Sequence, residues 1–272
     1  MKNILLILNA TVTPPHVMDA AINIAKSTSS LLHTVFINYA SDLAGYNYLF
    51  PNDLNLTMNT ITGKSVAEEN AALSASQVKL FTDECNHAGV ECLIEPQTDI
   101  SLGNLIQYSS FSDFILVDAH ENISDHHIAD LLVSAHCPVY LVSKDAAIPA
   151  NIILAYDGNP SSIYAAKLYS YVFPEFRDLP TYVVYAHTKK ETAIPHEKEL
   201  NSLHKGHFTN VQVKMLPGNV ADVLVDFTAA LPHSLIIMGS YGRNVLSRIF
   251  HQSHANKLIE QGKASVFITH KA

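Results

Sequence analysis

Two stretches of the chain carry residue types able to do chemistry. One is Met238-Gly239-Ser240-Tyr241-Gly242-Arg243, with nine residues between Gly242 and a following Gln252-Ser253. Glycines let backbone N–H groups come close to an anion, and a hydroxyl residue opening a helix places that helix's N-terminus beside it. Phosphate is the matching ligand. The other stretch is acidic and histidine-rich: Asp118, His120, Glu121, Asp125, His126, His127 and Asp130. Imidazole and carboxylate are zinc or nickel ligands, and residues three or four apart share a helix face. The same acids also suit a helix N-terminus, where the dipole favours negative charge. His251 with His254, and His204 with His207, have the spacing of helical ligand pairs but no third partner. They are expected to be surface histidines. Cys85, Cys92 and Cys137 contain no CxxC pair, and Cys137 before Pro138 reads as a small core residue. Neither GxSxG nor GxxxxGK[ST] occurs, so serine hydrolase and P-loop chemistry have no support.

These stretches sit on an internal repeat. Asn3–Ala10 matches Asn151–Gly158, and Val35-Phe36-Ile37 matches Val183-Val184-Tyr185, both at an offset of 148. Phe114–Val117 falls on Leu235–Met238 at 121, and Val139–Val142 on Val266–Thr269 at 127. A period this long marks a duplicated domain. The first copy has an insertion of 27 residues between its second and third strands. That insert, roughly 40–63, contains Tyr46, Tyr48, Phe50 and Pro51 and is expected to be a loop. The apolar runs are short and do not alternate, as in strands buried on both faces. Helices are expected near 15–29, 64–88, 101–110, 125–135, 160–173, 192–206, 219–231 and 253–261. Strand–helix alternation predicts an α/β fold, two tandem sandwiches each with a five-stranded parallel sheet.

Length and composition agree with this. At roughly 150 residues per domain, 272 residues suggest two, placed at 1–144 and 150–272. No apolar run approaches the roughly 18 residues that span a membrane, and the run Ile4–Leu8 is too short for a signal peptide. An odd cysteine count fits a reducing cytoplasm, so a soluble cytoplasmic protein with no membrane partner is expected. Residues 1–144 carry a balance of −10 and residues 145–272 one of +2. An acidic first half argues against nucleic acid as a partner.

The second copy resembles the universal stress protein family in its tandem two-domain form. The motif is Leu235–Arg243 running through Leu246-Ser247-Arg248 to Ser253, with Asp157-Gly158 at the first strand end and Gly218 before a helix. The resemblance covers nearly all of 151–270 and, over 1–143, rests on strand pattern and the repeat. It implies a Rossmann-like fold of the adenine-nucleotide-binding sort and dimerisation through the last strand. It also implies ATP or a similar adenine nucleotide, with Mg2+ accompanying it, in the second copy. Asp157 would contact ribose or adenine, Ala186 would meet the adenine edge through its backbone, and Gly239, Gly242 and Ser253 would hold the phosphates, assisted by Arg243, with Met238 also among the cofactor-binding residues. The sequence departs from the family pattern where Gln252 replaces the third motif glycine, His254 a small apolar residue and Ala155 a proline. A fold that kept its turn glycines after losing the ligand fits the same residues.

In the first copy the repeat sets Asp118 on Gly239, Glu121 on Gly242, Asp125 on Gln252 and Asn9 on Asp157. Carboxylates in place of a phosphate cradle repel phosphate at short range. That copy is expected to be a degenerate domain without ATP. The leading expectation is a non-enzymatic stress-response protein. A slow ATPase on the same fold and a metal-binding protein using 118–130 stand as alternatives. An ATPase would need a base or metal-binding carboxylate near Gly239–Gly242, where only Asp157 and the distant Glu260 are available. The last strands, Val139–Val142 and Val266–Thr269, would pair with each other within the chain or with a second chain, so a homodimer is also plausible on this basis.

Overall fold

The computed structural model describes residues 1–37, 56–95, 100–119, 131, 133–146, 148–187, 193–239 and 264–269. The first half supplies strands β1 (Asn3–Asn9), β2 (Leu31–Ile37), β3 (Cys92–Ile94), β4 (Phe114–Asp118) and β5 (Val139–Val142). The second supplies β6 (Asn151–Tyr156), β7 (Thr181–His187), β8 (Val211–Pro217), β9 (Ser234–Gly239) and β10 (Ser265–Thr269). All ten belong to one sheet, in the order β3-β2-β1-β4-β5-β10-β9-β6-β7-β8. Pairing within each half is parallel, and the two halves meet where β5 and β10 run antiparallel. The duplication and both five-stranded parallel sets expected from the repeat are present.

The unalternating apolar runs are buried throughout: every residue of β4, β5, β9 and β10 is buried. Alternate residues enter two core layers. One contains Leu6, Leu116, Tyr140, Phe267, Ile237 and Leu154, beneath α1 (Pro15–Thr28), α2 (Leu56–Ala88), α4 (Pro160–Val172) and α5 (Glu197–His207). The other contains Leu5, Ile115, Leu141, Val266 and Ile153, beneath α3 (Leu102–Ser109) and α6 (Val220–Ala229). Both layers run across the seam between the halves without a break.

The seam has its own local symmetry. Tyr140 stands opposite Phe267, its own counterpart in the repeat, flanked by Val139 opposite Ile268 and Leu141 opposite Val266. A local twofold relation therefore centres on the Tyr140–Phe267 pair. Such isologous pairing saturates the hydrogen bonds of two strands that would otherwise be edges. The backbone N–H of Ser143 also donates to Ser265 Oγ at 3.2 Å across the seam.

One residue breaks that symmetry. Phe173, following α4, lies with its ring centroid 5.0 Å from Phe114 and 6.4 Å from Tyr140 in the first half. It also lies 5.8 Å from Phe267, 5.2 Å from Tyr169 and 5.7 Å from Phe176 in its own half. Lys2 adds a bond to Glu175, 2.6 Å across the halves. Both side chains of that bond are partly exposed, and such pairs contribute about 0–1 kcal/mol. The buried rings dominate.

Three expectations change. The segment 40–63 is not all loop: α2 reaches back to Leu56, so the final turns of the insert are helix, and residues 38–55 lie outside the described residues. Helix α5 starts at Glu197 instead of 192, because Pro195 is followed by His196 at φ +55°, a left-handed residue that a helix cannot continue through. His204 is not a surface histidine. It is buried in α5 beside Phe208, and neither ring nitrogen has a hydrogen-bond partner among the described residues. Its neighbour His207 is half-buried, 2.7 Å from Ser170 Oγ and edge-on to Tyr171. The expected helix 253–261, and most of 125–135, lie outside the described residues.

Burial alone pushes the His204 pKa down to about 4. The unfolded chain takes a proton there below its ordinary value of 6.5, while the folded chain stays neutral until about 4. Stability contributed by His204 is thus complete above pH 6.5 and falls as the pH drops through that window. At 1.4 kcal/mol per pKa unit the total is roughly 3 kcal/mol. In urea unfolding measured from pH 7.5 to 4.5, His204→Leu should be less acid-sensitive than the parent; parallel curves would refute this. Removing the Phe173 ring leaves a cavity between the halves, and Phe173→Ala should cost about 3–5 kcal/mol in the same measurement. A loss below about 1 kcal/mol, the range of an exposed ion pair, would show that the rings do not carry the contact.

Candidate functional site

In the second half the chain runs outward from β6 through β7 to β8, then returns to place β9 on the other side of β6. Strand order therefore reverses between β6 and β9. Ligands of open parallel sheets bind at such a reversal, outside the carboxyl ends of the strands. Asp157 follows β6 and Gly239 ends β9, so the two residues flank that crevice. Ala186 lies one strand further out near the end of β7, opposite Leu216 of β8. Met238 is buried in the core layer beneath α6.

Each residue is held by local chemistry. Asp157 Oδ1 accepts the backbone N–H of Asn159 at 3.0 Å, and Oδ2 accepts the Asn159 side-chain amide. This folds the strand end into a tight turn with Gly158 at φ +81°. A Cβ on Gly158 would come 3.0 Å from Pro195, whose carbonyl accepts the Tyr156 hydroxyl at 2.8 Å. Burial and then the Asp157 and Glu199 carboxylates raise the Tyr156 pKa, so that hydroxyl stays a donor. Because the Asn159 side chain is committed to Asp157, it makes no capping bond to α4.

Gly239 is the tightest point. A Cβ there would stand 2.4 Å from the carbonyl carbon and oxygen of Ser161, in the first turn of α4. Only glycine lets the α4 N-terminus lie directly on the end of β9. On the outer side, Gly218 at φ +139° precedes Asn219, whose side chain caps α6 by accepting the Ala221 N–H at 3.0 Å. Two helices thus begin at this end of the sheet, and α4 has no acidic residue in its first turn. Gly242, Arg243, Gln252 and Ser253, the remainder of the expected phosphate cradle, lie outside the described residues.

The matching place in the first half is built differently. Asn9 Oδ1 accepts the backbone N–H groups of Thr11 and Val12 at 2.9 and 3.2 Å, and Thr13 donates to the Asn9 carbonyl. Both α1 and α4 open with proline, so His16 occupies the position of Ser161. Where Gly239 admits the Ser161 backbone, Asp118 instead meets the His16 side chain, Oδ1 to Nε2 at 3.3 Å. Asp118 is buried and His16 is only one-fifth exposed. The carboxylate expected from the repeat to replace glycine is present at the strand end, joined to a residue 102 positions away that the motifs did not single out. The signal available was the shared helix-opening proline, Pro15 and Pro160.

The metal expectation concerns residues 120–130, which lie outside the described residues. Among the described residues no group of three histidine, cysteine or acidic side chains could hold a metal, and no helix is long and apolar enough to cross a membrane.

Residues 169–270 match the sequence model of the universal stress protein family. Over those residues the chain is similar to that family. The match takes in β7 to β10 and therefore Ala186, Gly239 and the motif around Gly242. At the level of fold, the whole chain is similar to a universal stress protein from Archaeoglobus fulgidus DSM 4304. The identity is 12%, the TM-score 0.68, and 100% of this chain and 97% of that one are covered. It is also similar to a functionally unknown protein from Pseudomonas aeruginosa PAO1, at 12% identity and a TM-score of 0.58, covering 99% and 92% of the two chains. No curated protein matches the sequence significantly. The likeness of fold thus extends over both halves, while the sequence match lies in the second.

Replacing Gly239 by alanine should separate β9 from α4. Overpacking of this kind costs about 1–3 kcal/mol, and Gly239→Ala should lower the thermal midpoint accordingly. An unchanged midpoint would contradict the close approach.

Proposed function

We propose that the protein is a non-enzymatic, cytoplasmic stress-response module that binds ATP or a similar adenine nucleotide through its second half only. The supporting observation is the contrast at one equivalent position: Gly239 lets a helix N-terminus reach the strand-order reversal, whereas Asp118 fills the same place with a carboxylate. A backbone amide end attracts phosphate, and a buried carboxylate beside the same crevice opposes it. Asp157 stands on the rim to accept a ribose hydroxyl, which would have to compete with Asn159 for its oxygens. The Ala186 backbone would meet the adenine edge, and Gly242, Arg243 and Ser253 would complete the phosphate site with Mg2+. In this proposal residues 1–144 are a domain without nucleotide and residues 150–272 are the nucleotide-responsive domain.

Thermal melting with ATP and Mg2+, paired with equilibrium dialysis of labelled ATP, tests this. The expected outcome is an upward shift and one nucleotide per chain, both abolished by Gly242→Glu and retained in His16→Ala. Binding that survives Gly242→Glu, or two nucleotides per chain, would contradict the assignment to the second half. No shift and no bound label would leave a purely protein-interacting module.

A further inference from the structure

Two of the three cysteines belong together. Helix α2 ends at Ala88 in a tight reversal: the Val90 N–H donates to the Cys85 carbonyl at 2.9 Å, and the Gly89 N–H to that of Asn86 at 3.2 Å. Gly89 supplies the left-handed residue such a reversal requires, at φ +68°. The chain then enters β3 at Cys92, which pairs with Leu32 on β2. This geometry turns the strand back under the last turns of the helix. Cys85 is fully buried in the core layer beneath α2, and Cys92, seven residues on and beyond the reversal, is half-buried against that same layer, near enough for the two thiols to act on each other electrostatically.

We propose that Cys85 and Cys92 form a reversible redox pair that closes an intrachain disulfide when the protein meets a peroxide-class oxidant. The pair divides the labour by exposure. Cys92 is the partly accessible member, and its thiolate attacks a peroxide oxygen. The O–O bond breaks, the departing hydroxide takes up a proton as water, and Cys92 becomes a sulfenic acid. The Cys85 sulfur then attacks the Cys92 sulfur, and its proton leaves with the hydroxyl group as a second water. Overall two thiols are oxidised by two electrons, and one peroxide is reduced to two waters. Burial, reinforced by its neighbour Cys92 and by Glu84, pushes the Cys85 thiol up to about 12, so it does not react with oxidant on its own. Its reactivity depends on delivery of the Cys92 sulfenic acid. Cys137 is a built-in control: buried, with its own thiol raised to about 12, and apart from the pair in the opposite core layer. Such a disulfide is compatible with a reducing compartment, where redox-sensing disulfides are transient. The proposal is independent of any nucleotide.

The test exposes the reduced full-length chain, folded, to hydrogen peroxide, then denatures it, alkylates it with iodoacetamide and maps the thiols by mass spectrometry. Alkylation should fall from three cysteines to one, Cys137, with a Cys85–Cys92 cross-linked peptide, and dithiothreitol should restore all three. The link should persist in Cys137→Ser and be lost in Cys92→Ser, each checked as folded by circular dichroism. The wild-type readout stands even if a variant fails to fold. Three alkylated thiols after oxidation would overturn the proposal. So would a sulfinic acid at Cys92 with Cys85 still alkylated, or a disulfide joining two chains.

Discussion

Everything else in this molecule is arranged around the antiparallel contact between β5 and β10. Each half, taken alone, would end in a mostly apolar strand with one row of unpaired backbone groups, an arrangement prone to association. Pairing those strands with each other removes both liabilities at once and merges two core layers across the sheet. Centring the contact on Tyr140 and Phe267 places like against like, as a homodimer interface would. Phe173 then makes the contact one-sided. The residue at its position relative to the helix-opening proline in the first half is Thr28, whose hydroxyl donates to the Ile24 carbonyl within its own helix. A fused pair is free to differentiate in this way, and a pair of identical chains is not.

The same freedom explains the unequal strand ends. Gly239 and Asp118 close equivalent strands, yet one admits backbone and the other a side-chain pair. The residue at such a point decides both what the crevice can accept and how closely the helix N-terminus lies on the strand end. The family model matches 169–270, a stretch that contains Gly239 and not Asp118.

Much of this was legible in the sequence because burial on both faces leaves a simple trace. Unalternating apolar runs such as Ile4–Leu8 and Val139–Val142 could be little else than central strands, and the repeat offsets fixed which strands correspond. Asp157 and Gly239 could be placed at strand ends from their motifs. His204 shares a helix face with the buried Leu200 and Phe208, four residues to either side, a local signal that the pairing with His207 as a ligand spacing passed over. The rest depended on long-range contact, which a one-dimensional pattern does not carry. The His16–Asp118 pair joins residues with no shared motif. The start of α2 at Leu56 was hidden because Thr57, Asn59, Thr60 and Thr62 are poor helix formers.

The reversal of direction at the seam has a geometric consequence. Since all strands of one half run against all strands of the other, the carboxyl ends of β1 and β4 and those of β6 and β9 emerge at opposite rims of the sheet. The protein is two-headed: the Asp118 head and the Gly239 head look away from each other. No small molecule can bridge them, and neither head obstructs access to the other. A partner gripping the first head would leave the second open to its own ligand, with the buried rings of Phe114, Tyr140 and Phe173 lying on the route between them.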